Sequence, residues 1–314
     1  MKRASSTSAD KRLTSARRTG TILGLAALVA ASLVAAAPAD ASSLTPAHIG
    51  STQAHTVDIT GADYDYRIDT HGTVPAGLVK LHFTNRGPMA HQAQLFRLND
   101  GVTYAKFLSD LQTNPGAAIF VDASAAGGPG PVAVNGEQTV WEAMQSGTYA
   151  VICLVSDSDG IPHYDKGMVA QFTVAGHKTS QELAAVHPAG VALGVIDAHD
   201  MTFTMPHMIL NGALYRYQDT DAKDVHELLL GRLLPGKTVA DAKAWFDSLA
   251  TPGGPSGPQP FVYSGGFGGE VPGGGGWLRT QVQPGNYVAF CLVPDSKTGT
   301  PHAALGMVVG FTAV

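Results

Sequence analysis

The sequence predicts an all-β protein built as two β-sandwiches in tandem, each carrying one short helix. Three observations lead there: short strand-like runs set between turn signals, one brief helical period per half, and an ordered set of residues that occurs twice. The set first appears as Gly147–Cys153, a loop to Pro162-His163, and Gly167-Met168 opening a last strand. It returns as Gly285–Cys291, Pro301-His302 and Gly306-Met307. Upstream, Gly77 to His91 spans fourteen positions and so does Gly212 to His226. His91 lies 62 residues before Cys153, and His226 lies 65 before Cys291. Each Cys precedes its His by 10 or 11 residues, and each His precedes its Met by five.

Val57–Ile68 alternates apolar and polar residues imperfectly and is rich in β-formers, so it reads as strand. Val74–Gly77 is a turn, and Leu78–Thr84 a second strand. Asn85–Ala90 is a loop, and His91–Leu98 a third strand. Val102, Ala105, Leu108 and Leu111 fall at helical spacing, and Asn114-Pro115 stops the helix they predict. Gly127–Pro131 reads as loop, and Gln138–Met144, Gly147–Cys153 and Met168–Val174 as strands. After a polar linker the programme restarts, with strands over 192–204, 213–217 and 225–233. Thr238 caps a helix whose face is Val239, Ala242, Phe246 and Leu249, with Asp241 completing a capping box. Pro252–Pro260 and Gly265–Gly276 read as Gly/Pro-rich loops. Trp277–Val282 and Gly285–Cys291 are strands leading to the terminal one.

Lys2, Arg3, Lys11, Arg12, Arg17 and Arg18 precede an Ala/Leu/Val run over 22–37, and Ala39-Asp40-Ala41 offers a cleavage site. That order predicts a cleaved signal peptide over 1–41 and an exported protein with no membrane span once it is removed. Thr19-Gly20-Thr21 after the arginine pair favours general secretion over the twin-arginine route. The expected organisation is then a flexible lead-in (42–55), a first sandwich (56–175), a linker (176–190) and a second sandwich (191–314). Of the 20 Lys+Arg and 25 Asp+Glu, six and two lie in the leader, which leaves 14 against 23. An acidic surface argues against nucleic acid and anionic membranes as partners, and leaves an unidentified redox or protein partner.

Cys, His and Met are the residue types a soft, thiolate-favouring metal uses. In this pattern they resemble the cupredoxin, or blue copper, family. The resemblance lies in Asn85-Arg-Gly-Pro-Met-Ala-His91, in Gly-x-Tyr-x-x-x-Cys at 147–153 and 285–291, and in His163…Met168 and His302…Met307. It covers most of 56–314 and implies tandem Greek-key sandwiches. It also implies copper held by His91, Cys153, His163 and Met168 in the first half, and by His226, Cys291, His302 and Met307 in the second. A His₂Cys plane with a weak axial Met suits one-electron transfer. The family's Cys-to-His segment is shorter than the nine and ten residues found here, and the second half has no Asn-x-Gly loop.

Bland readings stand beside this one. Each Cys could be a small buried hydrophobe and each Met a core residue. Two cysteines in an exported chain could also pair, but their equivalent positions at strand ends argue against it. A metal-free pair of sandwiches, using the long Cys–His loops as a recognition surface, is the alternative function. Enzyme chemistry ranks third: no His-x-His pair, phosphate loop or Gly-x-Ser-x-Gly elbow occurs.

Overall fold

Every strand of the first half has a counterpart in the second, in the same order and the same sheet position. The computed structural model describes residues 53–251 and 254–314. The expected signal peptide and most of the lead-in lie outside the described residues. The first half contains β1 (His55–Ala62), β2 (Asp65–Asp69), β3 (Val74–Pro75), β4 (Gly77–Asn85) and β5 (Gln94–Leu98). Helices α1 (Tyr104–Thr113) and α2 (Pro115–Phe120) follow, then β6 (Ala123–Ala125), β7 (Glu137–Met144), β8 (Gly147–Ile152) and β9 (Val169–Ala175). Helix α3 (Ser180–Ala184) lies between the halves. The second half has β10 (Val195–His199), β11 (Thr202–Thr204), β12 (Met208–Ile209), β13 (Leu214–Asp219) and β14 (His226–Leu233). It closes with α4 (Val239–Leu249), β15 (Phe261–Glu270), β16 (Gly275–Arg279), β17 (Gly285–Phe290) and β18 (Val308–Ala313).

The fold is all-β, two tandem sandwiches as expected. Each half packs a five-stranded sheet, β3-β9-β8-β5-β6 or β12-β18-β17-β14-β15, against four strands of a sheet common to both. The common sheet has eight strands in the order β11-β10-β13-β16-β7-β4-β1-β2. Its seam is the antiparallel β16–β7 pair, where Trp277 faces Trp141 and Leu278 faces Val140. One apolar core runs between the layers through both halves, from Val57 and Phe83 to Leu230 and Phe311. The helices cover outer faces: α1 and α2 bury Phe107, Leu111 and Ala118 against β5 and β8, and α4 buries Ala242 and Phe246 against β14 and β17. The face of α4 matches the sequence reading, and Thr238 and Asp241 form the expected capping box; on α1, Leu111 is buried as expected, but Ala105 is exposed and Phe107 takes the core position.

Three expectations about elements change. The run 57–68 is two strands, because Asp63 and Tyr64 take positive φ (46° and 66°) and reverse the chain. Residues 192–204 divide in the same way at Asp200 and Met201 (φ 44° and 57°). Much of the glycine-rich stretch from 265 is not loop but strand β15 followed by β16. Its glycines answer to close backbone approach. Segment 126–133, of which Gly127–Pro131 reads as loop, runs alongside β15 through Gly268 N–H to Gly128 O (2.7 Å) and Gly265 N–H to Pro131 O (2.7 Å). The same segment bonds β5 on its other side, through Ala93 N–H to Pro129 O and Leu95 N–H to Gly127 O. The second layer is therefore also continuous from one half to the other.

Candidate metal centre

In the first half, β4 ends at Asn85, whose side chain ties down the loop to His91. Its Nδ2 donates to the carbonyls of Met89, Val132 and Ala133, and its Oδ1 accepts the Gly87 N–H. His91 itself exchanges backbone hydrogen bonds with Val132. Cys153 sits just past β8, inside the sandwich. The long loop after it closes on itself: Ser156 bridges Pro162, and the Asp157 carboxylate accepts the Asp159 N–H and pairs with Lys166. This hairpin returns His163 to the cysteine, with His163 N–H on Val155 O and Tyr164 N–H on Cys153 O. A single 3₁₀ turn over His163–Lys166 and Gly167 (φ 102°) then deliver Met168, whose N–H bonds His163 O.

The second half repeats the construction with different chemistry upstream. Asp219 replaces the asparagine: its carboxylate accepts the N–H groups of Asp221 and His226 (both 3.0 Å) and thereby fixes the loop between them. Downstream, Pro294 bridges Pro301, Asp295 caps the turn through Thr298, and His302 N–H bonds Val293 O. The extra length in both Cys–His segments is thus absorbed in a closed turn that stands away from the pocket.

Two groups of side chains converge as a result. His91 Nδ1 and His163 Nδ1 lie 3.0 Å apart, with Cys153 Sγ 3.9 and 3.3 Å from them. His226 Nδ1 and His302 Nδ1 lie 3.1 Å apart, with Cys291 Sγ 3.9 and 3.5 Å away. Within each group the donor atoms all lie within 4.8 Å of one another, and every residue is buried. Met168 and Met307 are buried too, and their N–H groups bond the carbonyls of His163 and His302. The Met168 methyl lies against Gly61, where a Cβ would come within 2.9 Å. Both cysteines are free thiols.

Burial governs the protonation of each group. Burial, then the facing imidazole, pushes the His91 pKa down to about 4 and does the same to His302. Burial also pushes the Cys153 thiol up to about 11, although the backbone N–H groups of Gln92 and Val155 oppose it. Two neutral imidazoles facing through Nδ1 can share at most one proton, and the thiol adds a third lone-pair donor. The Nε2 atoms of His91, His163 and His302 are buried without a hydrogen-bond partner, and that of His226 makes only a longer, 3.4 Å contact with Asp221 Oδ2. The donor set of two imidazoles, one sulfur and a nearby thioether suits copper.

Several residues of the site escaped the sequence reading. Tyr64, at the tip of the β1–β2 turn, lays its ring edge-on to His163 at 5.1 Å and covers it. The Tyr66 hydroxyl donates to Gln92 O, and Tyr217 donates to His226 O (2.9 Å), so buried phenols hold the backbone beside both upstream histidines. Asp219 and Asp221 left only a turn signal in Asp219–Asp224.

No family model matches the chain, and no curated protein matches it. Among solved structures it is similar to a reduced auracyanin from Roseiflexus castenholzii, at 20% identity and TM-score 0.26 over 40% of this chain and 99% of that one. It is similar to auracyanin A, a blue copper protein from Chloroflexus aurantiacus, at 13% and 0.26 over 40% and 100%. A multicopper oxidase aligns over 82% of this chain and 88% of its own at 15% and 0.23. At such scores these overlaps carry no argument, and the site stands on its own geometry.

Proposed function

We propose that this is an exported protein that binds copper at its two His₂-Cys-Met pockets, for one-electron transfer or copper handling. The observation that carries the reading is the twofold convergence of His Nδ1, His Nδ1 and Cys Sγ inside a closed sandwich. The first pocket would use His91, Cys153 and His163 with Met168 as the weak fourth ligand; the second would use His226, Cys291 and His302 with Met307. Copper in such a set supplies one-electron chemistry with small rearrangement between its two oxidation states. The chain's own part is to hold the imidazoles neutral, to give up the thiol proton, and to keep water out by burying all the donors.

Addition of Cu(II) to the purified chain tests this, followed by visible absorption and EPR. An intense thiolate charge-transfer band at a stoichiometry near two is expected, falling to near one in Cys153→Ser or Cys291→Ser and to none in the double variant. A colourless protein that takes up no copper would leave two sandwiches whose projecting Cys–His turns bind a partner instead. No described helix is long and apolar enough to cross a membrane, and export is the expectation drawn from residues 1–41.

A further inference from the structure

The two pockets share a donor set but not a surrounding. In the first, His91 Nε2 presses against Gly87, where even a Cβ would overlap it; among the described residues no carboxylate is in ion-pair contact with the ring, and Asp63 acts on it without contact. In the second, His226 Nε2 lies 3.4 Å from Asp221 Oδ2. That carboxylate is locked in place: it accepts the N–H groups of Asp200 (3.1 Å), Lys223 (2.8 Å) and Asp224 (3.1 Å). A second difference lies beside the histidines. Gln92 follows the first histidine, whereas Glu227 follows the other, and both are about 5% exposed or less. An acid thus stands where the first pocket has an amide, with its own N–H 3.5 Å from Cys291 Sγ.

A fixed carboxylate behind a ligating imidazole raises the ligand's basicity and favours the more positive ion, and a dry surrounding strengthens the effect. Resting on the copper reading above, we propose that the second pocket stabilises Cu(II) more than the first does, through Asp221 behind His226. An electron shared between the pockets therefore settles at His91, Cys153 and His163. The step is one electron: the ion in the second pocket is oxidised from Cu(I) to Cu(II) and that in the first is reduced from Cu(II) to Cu(I). No bond breaks and no proton needs to move. The layout permits exchange within one body. His91 pairs with Val132, Val132 with Ser264 of β15, and β15 with β14, which begins at His226. Three strand spacings across and four residues along put the two histidines roughly 20 Å apart.

The copper-loaded chain is titrated between ferrocyanide and ferricyanide while absorption and EPR are recorded, with Cys153→Ser and Cys291→Ser assigning each wave. Two waves are expected, the second pocket's at the lower potential, with at least a tenfold preference of the electron for the first pocket (about 59 mV for a one-electron couple). Asp221→Asn should shrink that preference several-fold by moving the second wave alone, and Asp221→Glu should restore much of it. Coincident waves, a reversed order, or an Asp221→Asn protein with an unchanged gap would each overturn the proposal while leaving copper binding in place. Should Asp221→Asn not fold, the order of the two waves in the unaltered protein still decides. Failure to take up copper at all would overturn both readings, and the absent thiolate band would show it.

Discussion

At the scale of single residues, a missing carbon shapes the first pocket. Gly87 leaves room for the His91 ring, and its backbone is not in the left-handed region, so the cost of a side chain there is purely one of space. Gly87→Ala should therefore push His91 off its position. We expect at least about a tenfold loss of copper affinity (about 1.4 kcal/mol) in the first pocket and none in the second, read by metal titration in a Cys291→Ser or Cys153→Ser background. Proton competition follows from the same burial. His91 and His302, held near pKa 4, are already neutral between pH 5 and 7, whereas the Cys153 thiol near 11 must lose its proton on binding. Copper affinity at the first pocket should then fall about tenfold for each unit the pH drops across that window, one proton per ion. A steeper fall below pH 6.5 would mean ordinary, exposed imidazoles. The ligand residue types and their order were legible in the sequence because they recur in register. Tyr64 and Asp221 were not, since nothing local marks a tyrosine that will cover a histidine 99 positions away.

At the scale of elements, β15 shows why composition misleads. A Gly-rich run normally signals a loop, because glycine loses most entropy on ordering and packs no side chain. Here the run is squeezed between β14 and segment 126–133. A Cβ on Gly266 would overlap Leu228 O, and one on Gly130 would lie 2.9 Å from the Gly266 backbone. The strand is glycine-rich because two backbones approach where side chains would stand. Gly266 also holds φ +129°, so Gly266→Ala combines overlap with backbone strain. A loss of about 2 kcal/mol or more is expected in urea unfolding. The strands with β-branched and aromatic alternation, such as β4, β8 and β17, were legible because their pattern is set by their own sandwich. The hairpin turns at Asp63-Tyr64 and Asp200-Met201 were hidden because neither is an Asn-Gly type pair.

At the scale of the whole molecule, both layers cross from one half to the other, and buried polar groups are stationed at the crossing. Gln94 bonds both the N–H and the carbonyl of Gly269, and Gln138 accepts the Gly266 N–H while donating to Arg279 O. Because each half completes the other's hydrogen bonding, the described chain should unfold in one cooperative transition, with calorimetric and van't Hoff enthalpies in agreement. Two resolved transitions would contradict this. Glu142 and Glu270 are also buried there, and burial, joined by the charge of Glu270 on Glu142 and of Asp219 on Glu270, raises both above the ordinary carboxyl range. The folded protein then holds protons that the unfolded chain has already released, so stability falls as pH rises past the unfolded value near 4.5. Replacing both by Gln should flatten that decline in melting temperature between pH 5 and 8.

The seam between β7 and β16 has a further consequence. Through β4 and β13, with Asp219 in the place of Asn85, Val140 corresponds to Leu278, Trp141 to Arg279 and Thr139 to Trp277, so exchanging the halves leaves the pair Val140–Leu278 in place and turns Trp141–Trp277 into Arg279–Thr139, which is also a pair. A contact that maps onto itself in this way is the signature of an isologous dimer. The two halves are laid out as the subunits of a homodimer would be, joined by the span from β9 to β10. Freed from its twin, a first half ending at Ala175 would present β7 and segment 126–133 as open edges, and it should form the equivalent pair with a second copy of itself rather than remain a monomer.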